Sequence, residues 1–146
     1  MFLGRFYHNL DDKGRLTIPA RFRDELSFGG AYVMQGFDRN LLILPSSTFD
    51  ALSQRINKMS MTDPTARLLR RLLYSSATHV TVDKSGRVLI PPFLREAANL
   101  DVQVVVIGNG DYVELWSPDE WEIQNEQLQD AQLNAHRFVA LDLTSE

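Results

Sequence analysis

Six residues of this 146-residue chain, in two short basic stretches, have the types and spacing needed to bind a negatively charged ligand. They are Lys13, Gly14, Arg15, Lys84, Gly86 and Arg87. The guanidinium groups of Arg15 and Arg87 each offer five N–H donors in a planar fork, which matches a phosphate group or the O6 and N7 atoms of guanine. A glycine lets the backbone approach DNA closely and donate an N–H to a phosphate. Both stretches are therefore candidate DNA-binding sites.

The two stretches belong to one motif that occurs twice. Residues 11–23 and 83–95 align at a constant offset of 72 positions, and six of the thirteen aligned positions are identical. Chance would supply about one match, because a given residue type fills roughly one position in twenty. The identical pairs are Asp11/Asp83, Gly14/Gly86, Arg15/Arg87, Ile18/Ile90, Pro19/Pro91 and Arg23/Arg95. The chain is therefore a duplicated unit.

Four further motif residues are better explained by structure than by ligand binding. Asp11 and Asp83 would repel DNA if they were exposed, whereas a carboxylate at the start of a turn can accept backbone N–H groups or hold an arginine. Pro19 and Pro91 suit the first position of a helix, where no N–H is needed. The alternative is that aspartate and arginine merely pair across each turn. Such a surface pair contributes only about 0–1 kcal/mol, so stability alone explains the motif poorly.

Charge is distributed unevenly along the chain, although the net charge is only -4. Residues 1–23 contain five basic residues and two acidic residues, and residues 65–95 contain six basic residues and one acidic residue. Residues 110–146 contain nine acidic residues and one basic residue. Both motifs thus lie in basic surroundings, as expected for a nucleic-acid contact, although an ordinary solvated surface of mixed charge is the alternative.

Two other basic features are open to more than one interpretation. Lys13 lies two residues after its aspartate and Lys84 only one. Because adjacent residues on an extended chain point to opposite sides, the two copies cannot present lysine identically. Arg67, Arg70 and Arg71 form either a second phosphate-binding stripe or the exposed face of a helix.

Several classes of site are absent from the sequence. The chain has no cysteine, which excludes a disulfide scaffold and thiolate-ligated zinc and fits a reducing cytoplasm. His8, His79 and His136 share no metal-ligand spacing, and no catalytic triad or phosphate-loop pattern occurs. No apolar run approaches the ~20 residues of a membrane span, and the N-terminus lacks the apolar core of a signal peptide. We therefore expect a cytoplasmic protein without a cofactor, metal, membrane contact or enzymatic activity.

Apolar periodicity predicts short strands and helices in each half. Expected elements are strands at 5–10 and 16–18, a helix at 19–26, hairpins within 32–44 and 102–116, and later helices at 63–76 and 117–137. Ser47 and Ser117 are candidate helix caps, and Asp63 precedes the proline that begins the middle helix. The helix at 117–137 is thinly apolar, with Trp121 and Leu128 among its few apolar residues, so it is expected either to fray or to lie on a partner. The predicted organisation is a first half at 1–62, a linking helix at 63–76, a second half at 77–137 and a flexible tail at 138–146.

The segment Met1–Leu26, together with the two Asp-x-x-x-Arg motifs, closely resembles the MraZ family of bacterial transcriptional regulators, named for the division and cell wall gene cluster. The resemblance covers essentially the whole chain. It implies an α+β, β-rich fold related to the AbrB and MazE transcription factors, in which two halves of one chain form a pseudo-twofold, duplicated swapped-hairpin β-barrel with flanking helices.

The resemblance also implies partners and a location. It implies a ring-shaped homo-oligomer that binds double-stranded DNA at short direct repeats upstream of the cluster's first genes, with the motif arginines on the DNA and the protein associated with the nucleoid. An antitoxin-like protein-interaction module, tethered through the acidic C-terminal helix and without specific DNA binding, remains the alternative. An enzyme is disfavoured by the absence of catalytic patterns. Retardation of DNA would distinguish the first two.

Overall fold

The computed structural model describes residues 1–144 as an α+β, β-rich protein. The strands are β1 (Arg5–Asn9), β2 (Arg15–Thr17), β3 (Ala31–Gln35), β4 (Leu41–Pro45), β5 (Thr78–Val80), β6 (Arg87–Leu89), β7 (Gln103–Gly108) and β8 (Val113–Trp116). The helices are α1 (Ala20–Ser27), α2 (Ser46–Asn57), α3 (Pro64–Ser76), α4 (Pro92–Ala97), α5 (Pro118–Leu128) and α6 (Ala131–Arg137), followed by a 3-10 turn at Val139–Leu141. The α+β, β-rich class that the resemblance implied is confirmed.

The strands form an antiparallel sheet of six and a separate antiparallel pair. The order of the larger sheet is β1-β7-β8-β4-β3-β5, so each hairpin carries on its outer edge a strand from the other half. β1 pairs with β7, and β5 pairs with β3. The smaller sheet, which we call the ribbon, consists of β2 and β6. The six-stranded ladder ends at β1 and β5 within residues 1–144, so it does not form the closed barrel that the resemblance implied.

The main apolar core lies between the six-stranded sheet, the ribbon and two short helices. Leu16 of β2 and Val88 of β6 are buried in it, together with Phe22 of α1 and Leu94 of α4. Alternation along β2 and β6 places these two side chains on one face and their neighbours on the other. The inner face of the ribbon therefore packs on the core, and its outer face points away from the core.

A second apolar cluster covers the opposite face of β3 and β4. Met34, Leu42 and Leu44 pack there with Ile56 of α2 and Leu73 of α3. Because the alternate residues of β4 point into the main core, this strand is buried on both faces, and every one of its five residues is buried. The two clusters fix α2 and α3 on the side of the sheet remote from the ribbon.

Two of the three predicted helix starts agree with the structure. The carboxylate of Asp63 accepts a hydrogen bond from the N–H of Thr65 at 2.9 Å, and the hydroxyl of Ser117 accepts one from Glu120 at 3.2 Å. The predicted cap at Ser47 is wrong. The residue before helix α2 is Pro45, two positions earlier, and the helix begins at Ser46, whose hydroxyl donates to the carbonyl of Gly29 at 2.7 Å. That hydrogen bond ties the helix to the turn before β3.

The single helix predicted at 117–137 is in fact two helices. Helix α5 ends at Leu128, and the Asp130 carboxylate caps α6 by accepting the N–H of Leu133 at 3.0 Å. Aspartate favours such capping over a continuous helix because its side chain competes for backbone N–H groups. Part of the predicted flexible tail forms the 3-10 turn, and residues 145–146 of it lie outside the described part of the chain.

Trp121 of the thinly apolar C-terminal helix is buried within the chain itself. Its side chain is only 6% exposed and packs against Val105 and Trp116 of the sheet. The two indole rings meet edge to face, with their centroids 5.9 Å apart. The apolar surface of Trp121 is therefore already used in holding α5 to β7.

No helix in residues 1–144 combines the length and the apolar character needed to cross a membrane.

Candidate nucleic-acid interface

The first motif turn, residues 11–15, is built around one carboxylate. Oδ1 of Asp11 accepts the N–H groups of Lys13 at 3.0 Å and Arg15 at 2.8 Å. Oδ2 of Asp11 accepts Nε–H of Arg15 at 2.7 Å. The turn also needs a left-handed residue, and Gly14 supplies it with φ +82°. Together these bonds fix the arginine's backbone and the root of its guanidinium group.

The second motif turn, residues 83–87, repeats this geometry. Oδ1 of Asp83 accepts the N–H groups of Ser85 and Arg87, both at 2.9 Å. Its Oδ2 accepts Nε–H of Arg87 at 3.1 Å, and Gly86 has φ +78°. The lysine lies at a different position in each turn, yet the hydrogen-bond pattern is unchanged because it uses the backbone N–H of the residue there and not its side chain.

Both carboxylates are held in the ionised form. The pKa of Asp11 is lowered, chiefly by the backbone hydrogen bond from Arg15. Burial opposes this effect, while the guanidinium of Arg15 and the N–H of Lys13 lower the pKa further. The pKa of Asp83 is lowered in the same way, first by the backbone hydrogen bond from Arg87. Each negative charge therefore stays beside its arginine throughout the neutral range.

The two turns are joined to each other through the ribbon. The N–H of Ile18 donates to the carbonyl of Gly86 at 2.8 Å, and that of Ile90 donates to the carbonyl of Gly14 at 2.9 Å. The amide N–H groups of both glycines are also engaged, because each donates at 3.0 Å to the carbonyl of the motif aspartate in its own turn. A phosphate could therefore use a glycine N–H only by displacing an existing hydrogen bond.

Two further arginines of the motif, Arg23 and Arg95, lie against these glycines. The guanidinium of Arg95 covers Gly14, where an added Cβ would come within 2.7 Å of Cζ, and the guanidinium of Arg23 covers Gly86. Nε–H of Arg23 donates to the carbonyl of Ile18 at 2.9 Å, and Arg95 makes the equivalent bond at 3.0 Å. The signal for this contact was the identity of Arg23 and Arg95 at aligned positions of the repeat.

The outer face of the ribbon carries both motif arginines. Arg15 lies opposite Leu89, and Thr17 lies opposite Arg87, so all four side chains share one face. The side chains of Arg15 and Arg87 are 31% and 29% exposed. Both Nη groups of Arg15 are without a hydrogen bond among residues 1–144, whereas Nη1 of Arg87 lies 3.5 Å from Oδ2 of Asp11. Each arginine thus keeps donors available to a ligand.

Lys13 and Lys84 extend the positive surface beyond the ribbon. Both side chains are exposed at the motif turns, and neither takes part in an ion pair with the described residues 1–144. Pro19 and Pro91 precede helices α1 and α4 as their N-terminal flanking residues. The structure thus brings all of the predicted motif residues into one region at the ribbon.

The arginines of α3 lie elsewhere and are largely engaged. Nη1 of Arg67 donates to the carbonyl of Met61 at 2.9 Å, and Nη1 of Arg70 donates to Oδ1 of Asn57 at 3.1 Å. Arg71 is exposed. Because α3 packs on the face of the sheet opposite the ribbon, these arginines do not extend the motif surface. Within residues 1–144, no three His, Asp or Glu side chains are grouped so as to hold a metal ion.

We expect Gly86→Ala to lower the free energy of unfolding more than Gly110→Ala, measured by urea titration at one protein concentration. The two glycines have φ of +78° and +80°, so either alanine carries a left-handed penalty of about 1–2 kcal/mol. Only at Gly86 must the new methyl displace the Arg23 guanidinium, whereas nothing lies within 4 Å of the added Cβ at Gly110. In a background that also carries Arg23→Ala, Gly86→Ala should lower the free energy of unfolding no more than Gly110→Ala does. Equal losses for both glycines would contradict the proposed packing.

We expect Asp83→Asn to destabilise the protein at neutral pH but progressively less in acid. The folded-state pKa of Asp83 is lowered, so its contribution is complete above the unfolded pKa of about 3.9 and is lost as the pH falls through the folded value. Thermal unfolding of the wild type and the variant between pH 7 and pH 2 should therefore give converging melting temperatures. Asp12→Asn, at an exposed position in the first motif turn, is the control. A pH-independent difference would exclude ionisation of Asp83 as the cause.

Comparison with known proteins agrees with the duplicated motif. The family model described as "MraZ protein, putative antitoxin-like" matches twice, over residues 1–72 and 73–142. A protein of Thermomicrobium roseum named Transcriptional regulator MraZ is 45% identical over 128 residues, which are 88% of this chain and 89% of the relative. Proteins of the same name from Herpetosiphon aurantiacus and Desulforamulus reducens are 44% and 42% identical, over 84% and 88% of this chain and 85% and 90% of theirs. By their names these relatives are regulators and not enzymes, and the chain belongs to the MraZ family.

Proposed function

We propose that this protein is a sequence-specific DNA-binding transcriptional regulator that contacts DNA through its two Asp-x-x-x-Arg turns. The observation that carries the proposal is the outer face of the ribbon, where Arg15 and Arg87 lie diagonally across the two strands and Lys13 and Lys84 lie in the adjoining turns. The major groove of B-DNA admits a two-stranded β-ribbon. The relatives named as transcriptional regulators support the same conclusion.

The aspartates prepare the arginines for this role. Asp11 and Asp83 hold the Nε side of each guanidinium, so the Nη groups project toward the ligand without further ordering. A side chain that is already ordered loses less conformational entropy on binding. Gly14 and Gly86 contribute by adopting the left-handed conformation that the tight turns require, and by leaving room for the guanidinium groups of Arg95 and Arg23 that cover them. The lysines reach phosphates at the rim.

The reciprocal strand pairing supports a more detailed proposal for the fold. Strand β1 of the first half completes the second hairpin, and β5 of the second half completes the first. We infer that the halves correspond to the two subunits of a swapped-hairpin fold of the AbrB and MazE type, fused in one chain. In that interpretation the halves are residues 1–62 and 77–137, joined by a helix at 63–76 and followed by a tail at 138–146.

The small size of the ribbon supports action as an assembly. One protomer offers only two basic turns, which is little contact for one DNA site. We propose a homo-oligomeric ring in the cytoplasm, associated with the nucleoid, that binds short direct repeats upstream of the division and cell wall genes, including its own gene. Exposed apolar side chains of the C-terminal segment are suited to contact a second copy. They include Ile123, Leu128, Leu133, Phe138, Val139 and Leu141.

The same C-terminal segment favours one other candidate function. An antitoxin-like module would bind a protein partner through these apolar side chains and the surrounding acidic residues, without specific DNA binding. The description of the matching family model as antitoxin-like also points in this direction. Failure of the basic ribbon to retard any DNA would favour this candidate.

We expect Arg15→Ala and Arg87→Ala to weaken DNA binding while leaving the fold intact. Loss of a bidentate contact should cost about 1–3 kcal/mol per arginine, and loss of a phosphate contact should reduce the salt dependence of binding. Circular dichroism and mobility shift on the same samples measure both effects. Arg39→Ala is the matched control, because Arg39 is exposed and pairs with Glu120 at 3.7 Å away from the ribbon. Wild-type affinity in the Arg15 variant would overturn the assignment of this residue.

We expect tight binding to duplexes with several repeats in phase and weak binding to a single repeat. Repeats spaced by one helical turn, ~10–10.5 base pairs, face the same side of the DNA, so neighbouring protomers can bind together. The gain from linked contacts is about 10²–10⁴ in affinity. Titration of one-repeat, three-repeat and phase-shifted three-repeat duplexes at fixed salt measures it, with light scattering to give the assembly's mass. A stable monomer, or equal affinity for all three duplexes, would exclude this mechanism.

A further inference from the structure

Leu89 is an apolar side chain in an unexpected place. It occupies the outer face of the ribbon and is 54% exposed, whereas its neighbours Val88 and Ile90 are buried in the main core. Its position directly opposite Arg15 places it within the candidate interface. An isolated exposed leucine needs no explanation, but one set between two ligand-binding arginines is part of the surface that any ligand must meet.

Thr17 is the counterpart of Leu89 in the other half of the repeat. The two residues are separated by 72 positions, the offset of the duplicated motif. Thr17 lies opposite Arg87 as Leu89 lies opposite Arg15. The ribbon therefore presents two pairs, each consisting of an arginine from one half and a methyl-bearing side chain from the other.

We propose, building on the proposed DNA-binding function, that Leu89 and Thr17 are specificity-determining residues that contact the C5-methyl groups of thymine. In the major groove, thymine is distinguished by this methyl group, and apolar side chains and the threonine methyl recognise it. Directly opposed residues in an antiparallel pair have Cβ atoms about 4.5–5.5 Å apart. An arginine and its opposed partner can thus contact adjacent base pairs in one step along the groove.

The two pairs are chemically unequal, which gives the protomer a direction on DNA. Leu89 can make only apolar contact, whereas Thr17 has a hydroxyl that can also donate or accept a hydrogen bond. The difference continues four residues on, where exposed Phe93 in the second half corresponds to exposed Arg21 in the first. A protomer with unequal halves binds an asymmetric sequence in one orientation. It therefore suits repeats that all point the same way and not a palindrome.

The experiment removes thymine methyl groups from DNA of otherwise identical sequence. A duplex selected from a random-sequence pool by the wild-type protein is copied with either thymidine or deoxyuridine triphosphate. Affinities for both copies are measured by fluorescence anisotropy at one salt concentration. We expect the wild type to bind the uracil copy at least about fourfold more weakly, which corresponds to losing contact with one methyl group.

Substitutions then assign the methyl contact to particular residues. Leu89→Ala should bind the thymine copy more weakly than the wild type does. The ratio of its affinities for the thymine and uracil copies should also be smaller. Adding Thr17→Ser, which removes only the methyl group, should abolish the difference. Leu3→Ala is the matched control, because Leu3 is a similarly exposed leucine outside the ribbon, and this variant should behave as the wild type.

The outcomes separate this inference from the proposed function. Equal wild-type affinity for both copies, or an undiminished difference in the double variant, would overturn the methyl contact while leaving DNA binding in place. If the pool yields no duplex that the wild type retards, DNA binding itself fails and the inference fails with it. Circular dichroism of the double variant checks that its fold is intact, as expected for two outward-facing substitutions.

Discussion

The structure depends on a carboxylate that closes a turn. In each motif one aspartate accepts two backbone N–H groups and a guanidinium N–H, so the aspartate, the left-handed glycine and the arginine form a single unit. Charge-assisted hydrogen bonds to an ionised carboxylate are among the stronger polar contacts available at a protein surface. This turn sets where β2 and β6 begin. It thereby sets which side chains face the core and which face outward.

Each turn is completed by the other half of the chain. The guanidinium of Arg23 covers Gly86, that of Arg95 covers Gly14, and the two glycine carbonyls accept N–H groups across the ribbon. The larger sheet shows the same exchange, since each hairpin is extended by a strand from the opposite half. Neither half can therefore satisfy its backbone or bury its apolar face alone, as is usual for the units of a repeat protein.

Features that depend on residues close together in the sequence were predicted, whereas contacts between distant segments were missed. The duplication was readable because identities recur at one offset, and the caps at Asp63 and Ser117 were readable because capping depends on adjacent residues. The break at Asp130 was missed because a polar, weakly periodic segment does not reveal where one helix ends. Burial of Trp121 was missed because its contact with Trp116 depends on how α5 docks on the sheet. The pairing of the halves and the guanidinium over each glycine involve residues far apart in sequence. The identity of Arg23 and Arg95 at aligned positions marked these two arginines, but it did not show which residues they contact.

The exchange of strands between halves has a consequence for how the chain is made. Arg5 of the first strand pairs with Ile107 of β7, so about a hundred residues separate neighbours in the sheet. Contacts of such long sequence separation slow folding, because the entropy of closing the loop is lost before the contact is gained. During synthesis at about 5–20 residues per second, β1 remains without its neighbour for some 5–20 seconds. An unpaired strand edge exposed for that time is a site at which a strand of another chain can add. The protein is therefore most open to association with other chains while its N-terminal half has been made and β7 has not.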